Sequence, residues 1–374
     1  MSNTLKFGNG EWYGKKDTIL AYNDLNSNFK PLPFSFDRAS SATVVNKAGL
    51  IETVGSGEPR IDYTDSAKGA LLLEPARTNS FTYSEDFSDG SWQKSQATVT
   101  ITNEISPNGN TNNVYNYVGN NSNVYTTSQA ANIEYTISCY VKSNGQGKDT
   151  FTLRLGNERS VVFTATSEWK KYSFTNTPTT NVFSISSNAL LDANVLIWGA
   201  QLEQGSYATS YIPTSGGVVT RVADACNNGA NEQVINSTEG VLYVETSKIN
   251  ESEGEGTIAL SRDSNNEIRL NFATNNRLNV FVNVLGDNQV YMDNADYNLE
   301  EYNKIAIKYK LNDYSVFVNG SKIHTDTDAT VPSGLNLVDF NQGTSSNKFY
   351  GNTKDVRVYN TALTDQELIN LTTI

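Results

Sequence analysis

The sequence holds two cysteines, two methionines and a single histidine in 374 residues, and each scarcity excludes a chemistry. Cys139 lies in the strand-like run TISCYV and Cys226 in a polar connector, so neither a disulfide framework nor a CxxC metal site is expected. A catalytic triad or a three-histidine zinc site would have to be assembled around His324 alone, and no HExxH spacing occurs. No apolar run approaches the ~18 residues of a membrane-spanning helix. The opening MSNTLKFGNG lacks the basic and apolar regions of a secretory signal, which reads as a soluble protein made in the cytoplasm. Basic residues are also few: 28 against 40 acidic ones, a net charge of −12 with no dense block of either sign. Such a surface repels phosphate backbones and anionic lipid, so nucleic acid and membrane insertion are set aside as partners.

What is present favours strands. Tyr, Phe, Thr, Val, Ser, Asn and Gly dominate, and helix-forming Ala-Leu-Glu-Lys runs are nearly absent. The length suits two cores with connecting structure, since single domains run to roughly 100–200 residues. The expected fold class is all-β, with two β-sandwich (jelly-roll) domains behind an N-terminal attachment segment of short strands. Residues 1–35 carry Gly8, Gly10, Gly14, Pro31 and Pro33 without a sustained apolar period. They cannot fold alone, and need the following domain, another copy or a docking partner to cover Phe7, Trp12, Ile19, Leu20 and Phe34. Residues 36–79 read as a short β connector, with Leu71–Leu73 suited to a strand buried on both faces. Residues 80–214 contain eight alternating runs, from TVTIT to VLIWGAQL, separated by turn clusters, which argues for a jelly roll. Residues 215–235, with Ser215-Gly216-Gly217 and Asn227-Asn228-Gly229, read as a flexible linker. Residues 236–374 form the second sandwich.

Two local signals in that last part are sharp. Asn319-Gly320 between alternating runs marks a type I′ hairpin, because both residues tolerate positive φ. In the preceding strand Ile305, Ile307, Tyr309 and Leu311 alternate with Lys304, Lys308 and Lys310, which predicts one buried and one solvated face. Near the C-terminus, Thr364 with Glu367 three residues on predicts a capping box, and Leu363 with Leu368 a hydrophobic staple.

Candidate sites are fewer. An exposed aromatic ring beside polar groups suits the apolar face and hydroxyls of a pyranose. Trp92, in a Gly-Ser-rich loop, and Tyr115, Tyr117 and Tyr125, among asparagines, are the ligand-binding candidates, although Trp92 equally suits a ring that closes the end of a sandwich. Trp169 and Trp198 sit in strand patterns and read as core. A glycoside hydrolase needs two carboxylates roughly 5–10 Å apart across a cleft. Glu251, Glu253 and Glu255 in NESEGEGT read instead as a solvated loop, and no catalytic residue is assigned. No cofactor is required. A structural calcium ion is left open, since Asp326-Thr327-Asp328 and Asp293-Asn294-Ala295-Asp296 offer oxygens without EF-hand spacing, and its ligands are not assigned.

The phrases FSFDRASSATVVNKAGLIETVGSGEPRIDYTD and WGAQLEQGSYATSYIPTSGGVVTRVAD resemble a segment of bacteriophage tail-fibre, head-fibre and related virion proteins, over residues 34–224. In that family the part from SEDF to ATSYIPT is similar to a carbohydrate-binding-module jelly roll. The opening LKFGNGEWYGKKDTILAYND resembles the start of fibre-like proteins of phages of Bacteroidetes. NKIAIKYKLNDYSVFVNGSKI and KDVRVYNTALTDQELINL resemble the concanavalin A-like, laminin-G-like lectins, where these phrases are architectural elements and not ligand residues. The resemblance implies a non-enzymatic virion component, fixed by its N-terminus to capsid or tail proteins, homotrimeric, and presenting its sandwiches to a cell-surface or environmental glycan. The alternatives are a purely structural decoration protein and a virion glycan hydrolase.

Overall fold

The alternation in the sequence becomes strands almost throughout, and the fold is nearly all β. The computed structural model describes residues 4–25, 28–127, 129–187, 192–294, 297–342 and 347–374; the side chains of Thr4 and of residues 20–33, Leu20 included, lie outside that description. Among the described residues the one α-helix is Asp365–Thr372.

All eight runs of the first sandwich contain strands. The long strand Val114–Thr126 pairs through its first half with Asp192–Gln204 and through its second with Phe183–Ser186, so one bent strand serves both layers. Tyr135–Ser143 and Lys170–Asn176 extend the first layer; Thr150–Leu155 extends the second. Ile137, Cys139, Val141, Val195 and Ile197 fill the core between the layers with Phe151, Leu153, Phe183 and Ile185. Burying side chains of this kind contributes about 1.5–3 kcal/mol each. The opposite face of the first layer is also covered. There Leu196 and Trp198 pack with Tyr211, Ile51 and Val114, so the hairpin Ala42–Val45 and Ile51–Val54 from the connector lies over the sheet. Cys139 and Cys226 are buried and unpaired, and burial pushes the Cys139 thiol up to about 12.

The second sandwich draws on the whole chain. Its larger sheet runs through Ala225–Asn227, Asn28–Asp37, Thr18–Leu25, Thr4–Gly8, Gly351–Tyr359, Glu239–Lys248, Asn303–Lys310, Tyr314–Val318 and Ser321–Asp326. A five-stranded sheet built around Asn266–Phe272 packs against it. Residues 1–35 therefore do not stand apart from residues 236–374 as the sequence suggests. Thr4–Gly8 pairs directly with Asp355–Tyr359, and Leu5, Phe7, Ile19 and Phe34 enter the same core as Val356, Val358 and Phe340. The rings of Phe7 and Phe34 lie 4.9 Å apart. The cover those residues need comes from the C-terminal sandwich of the same chain.

The expected flexible linker is packed as well. Val219–Arg221 pairs with Arg77–Asn79, and Ala225–Asn227 with Ser35–Asp37. At the expected flexible point, Gly229 exchanges two backbone hydrogen bonds with Val338, at 3.0 and 2.7 Å, and a Cβ there would fall within the Phe34 ring. The glycine serves close approach and not mobility. Leu71–Leu73 are buried on both faces, as read.

The hairpin turn and the capping box form as predicted, and two features of the preceding strand differ. Asn319 and Gly320 take φ of 49° and 81° between Tyr314–Val318 and Ser321–Asp326. Thr364 caps the helix in a complete capping box with Glu367. The face expected to be solvated is covered by that helix around Ala306 and Lys308, while Lys310 stays exposed. Leu368 packs on Val241, Tyr243, Ala306 and Phe317, and Lys308 is buried with ion pairs to Asp313 and Asp365 at 2.6 and 3.5 Å. Leu311, expected inside, is exposed because the strand ends at Lys310.

Candidate functional site

The aromatic residues singled out in the sequence do not form a platform. Trp92 is buried between Phe81 and Phe87, with ring centroids 4.8 and 5.0 Å away, and its Nε1 donates to the Tyr83 carbonyl at 2.8 Å. Tyr115 is buried against Phe87 and donates to Asp86 at 2.7 Å; Tyr117 is buried with its hydroxyl 2.7 Å from that of Ser122. Their polar atoms are satisfied within the fold, so no ring face is left for a ligand. Tyr125 is half-buried, between Gln93 and Ser184 in the ladder. Trp92, Tyr115 and Tyr117 belong to the core of the first sandwich.

Other features read from the sequence keep structural roles. In the 251–255 loop Glu253 is held by Arg77, and the Glu251 amide donates to Glu300 at 2.9 Å. Asp326 accepts from the Asp328 amide at 2.9 Å in a local turn, and Asp293 pairs with Arg277; Ala295 and Asp296 lie outside the described residues. His324 is half-buried on its strand, with Nε2 unpartnered. Among the described residues no three or more His, Cys, Asp or Glu side chains converge as a metal site.

The structure points to a different place. Where the connector hairpin overlies the jelly-roll sheet, a cleft of about 850 Å³ remains open, within the usual size range of small-ligand sites. Tyr140 and Tyr211 line it, and both rings pack on the fully buried Trp198, with centroids 5.5 and 4.6 Å from it. Its lining also includes Leu50, Asp62, Tyr63 and Asp65 from the connector and Lys142, Trp169, Lys170 and Lys171 from the jelly roll. Trp169 is half-buried, anchored by Nε1 donating to the Ile105 carbonyl at 2.9 Å, which fixes the ring while leaving part of it exposed. The Asp62 carboxylate is positioned by the Val45 and Thr64 amides at 3.0 and 2.9 Å. Lys171 donates to the Thr209 carbonyl, and burial lowers its pKa, with Glu203 and Glu74 opposing that shift.

Lys142 pairs with Glu104 at 3.5 Å and also borders a shallower depression of about 420 Å³ lined by Asn103, Asn116 and Asn144. Lys142 therefore borders both recesses. Sequence reasoning passes over Trp169 because the run WKKYSFT alternates like a core strand. The pair of lysines beside the tryptophan is the one local hint that its edge faces water.

Beneath the cleft lies a buried ionic cluster. Asp224 bridges Arg38, at 3.1 Å, and Arg60; Glu74 bridges Arg60 at 2.5 Å and Arg221 at 3.0 Å. Burial works against the charged form of Glu74, but Arg221, Arg60 and the Ser210 hydrogen bonds outweigh it and hold the carboxyl well below its usual range. The cluster joins the strand ends of the second sandwich to Ser210 at the edge of the first.

Residues 247–369 match the family model of the concanavalin A-like lectin/glucanases superfamily. That span falls within the second sandwich. Among curated proteins no match to the chain was found. Similar solved structures include the CBM40 of an IT-sialidase from Ruminococcus gnavus bound to α2,3-sialyllactose, 19% identical over 39% of this chain and 93% of that one, with a TM-score of 0.33. Domain 4 of AbnA, a GH43 extracellular arabinanase from Geobacillus stearothermophilus in complex with arabinotriose, is 12% identical over 46% and 84%, TM-score 0.34. A SAP-like pentraxin from Limulus polyphemus is 11% identical over 64% and 82%, TM-score 0.30.

Proposed function

We propose that this chain is a non-enzymatic glycan-binding component of a bacteriophage particle, and that the cleft beside Trp169 holds the saccharide. The observation that carries the binding reading is the anchored, half-buried Trp169 ring, which lines one cleft together with Tyr63, Asp62 and Lys142. A pyranose stacks its apolar face on such a ring while amides, carboxylates and ammonium groups take its hydroxyls. Placement in a virion, as a fibre or spike made in the host cytoplasm, rests on the sequence resemblance over residues 34–224. Homotrimeric assembly and attachment to capsid or tail proteins rest on it too. In this reading any N-terminal attachment uses the outer surface of residues 1–35, since Phe7, Ile19 and Phe34 are already covered.

The test is a glycan array with the full chain, followed by titration of the best saccharide against wild type and Trp169→Ala. Saturable binding that weakens about tenfold in the variant, a change worth ~1.4 kcal/mol, supports the reading. No saccharide binding leaves the structural-decoration alternative, and binding indifferent to Trp169 removes the cleft. Release of shortened glycan would instead favour the hydrolase alternative.

A further inference from the structure

An edge strand presents unpaired backbone N–H and C=O groups, and proteins blunt such edges with charged side chains or by keeping them short. Among the described residues, the larger sheet of the second sandwich ends on the three-residue strand Ala225–Asn227 and on Ser321–Asp326, which carries Lys322 and Asp326. The five-stranded sheet ends on the three-residue strand Leu337–Asp339 and on Asp287–Asn294, which carries Asp287 and Asp293. In the jelly roll Glu158–Arg159 is charged at both positions, and Lys170–Asn176 opens on two lysines.

The strand Gln93–Thr102 follows neither device. It is ten residues long and pairs on one side only, with Val114–Thr126. Its ladder shifts register beside Gln96, which leaves Ala97–Thr102 as the regular stretch. That stretch reads Ala-Thr-Val-Thr-Ile-Thr, without charge or proline and β-branched at every position after the first. Ala97 and Val99 pack on the core of the first sandwich, while Thr98 and Thr100, on the opposite face, are exposed. Ile101 has the alternation of Val99 and is nevertheless 56% exposed. The nearest charges along the chain are Lys94 on one side and Glu104 on the other, both exposed. Their contacts within the chain are long: Lys94 reaches the Ser88 and Asp89 carbonyls at 3.4 Å, and Glu104 reaches Lys142 at 3.5 Å.

We propose that this edge pairs with the same edge of a second copy of the chain, antiparallel about a two-fold axis at Val99. The register sets Val99 against the partner's Val99, Thr98 against the partner's Thr100, and Ala97 against the partner's Ile101, so faces match along the stretch. Lys94 of each copy then lies toward the partner's Glu104, whereas a parallel pairing would set lysine on lysine and glutamate on glutamate. Charge complementarity therefore selects the antiparallel arrangement. A contact confined to one strand edge is smaller than the ~1,200 Å² of a stable interface, so the pairing is weak and concentration-dependent. Being two-fold, it yields even-numbered species, whether dimers or pairs of trimers, and it does not depend on the saccharide cleft.

The experiment is sedimentation velocity of the full chain over a rising concentration series. It compares wild type with Thr98→Lys/Thr100→Lys and with Thr98→Glu/Thr100→Glu. Both positions are exposed, and circular dichroism verifies that each variant is folded. In the proposed register each double variant sets like charges directly opposite at two places, and a mixture of the two sets lysine opposite glutamate. The expected result is even-numbered species in the wild type, association weakened about tenfold or more in each variant alone, and recovery on mixing. Wild type that shows no even-numbered species at any concentration overturns the proposal. Association that persists in both variants also overturns it, since another surface then joins the copies. Loss in both variants without recovery on mixing overturns the antiparallel pairing.

Discussion

Replacing Asp224 by Asn tests whether the buried ionic cluster holds the two sandwiches together. Three guanidinium groups, on Arg38, Arg60 and Arg221, share two carboxylates, and all five residues are at most 2% exposed. The substitution keeps the shape of the side chain but leaves three cations against Glu74 alone. Asp224 also accepts from the Glu74 amide at 2.9 Å, so the loss reaches the backbone that positions the remaining carboxylate. Removing one partner of a buried ion pair costs about 3–5 kcal/mol. At about 2–4 °C per kcal/mol for units of 150–250 residues, the melting temperature should fall by roughly 6–20 °C. Scanning calorimetry is the assay. Arg38→Met combined with Asp224→Asn restores the net charge of the cluster and should recover part of the loss. A single variant that melts within about 2 °C of wild type would refute the reasoning, as would a double variant less stable than the single one.

Other perturbations follow from single residues. Thr364→Ala removes the side chain that accepts from the Glu367 amide, and should cost about 0.5–2 kcal/mol in urea unfolding, because the helix covers Val241, Tyr243 and Phe317. Gly229→Ala drives a methyl into the Phe34 ring and should cost about 1–3 kcal/mol by the same measurement; an unchanged midpoint would mean that the turn yields freely. Lys171 has a folded pKa below its usual 10.5, so the unfolded chain binds that proton more readily. Stability should therefore rise with pH between the depressed value and 10.5, and the difference between wild type and Lys171→Met, followed across that window, should carry this slope. At neutral pH Lys171→Met should melt higher than wild type, and a lower melting temperature would show that the bond to Thr209 outweighs desolvation.

The parts of this fold that are legible in the sequence depend on neighbours along the chain. Asn319-Gly320 fixes a hairpin because two adjacent residues tolerate positive φ, and Thr364 and Glu367 fix a helix start across three residues. What stays illegible depends on which distant segment provides cover. Nothing near Leu5 and Phe7 indicates that their ladder partners are Val358 and Val356, and nothing near Lys308 shows that a later helix lies over it. The same limit governs the candidate site. Trp92 in a Gly-Ser loop and Trp169 in an alternating run carry opposite local signals, yet the first is sealed by Phe81 and Phe87 while the second, just before the strand Lys170–Asn176, borders a cleft. Local pattern reports how often a side chain returns to one face. Whether that face meets a core, a helix or an opening is set by the hairpin 42–54 laid over the jelly-roll sheet, whose position depends on Ile51 packing with Trp198 and Tyr211, roughly 150 residues further along the chain. A binding site made where two independently patterned surfaces fail to close completely leaves its residues looking like ordinary core.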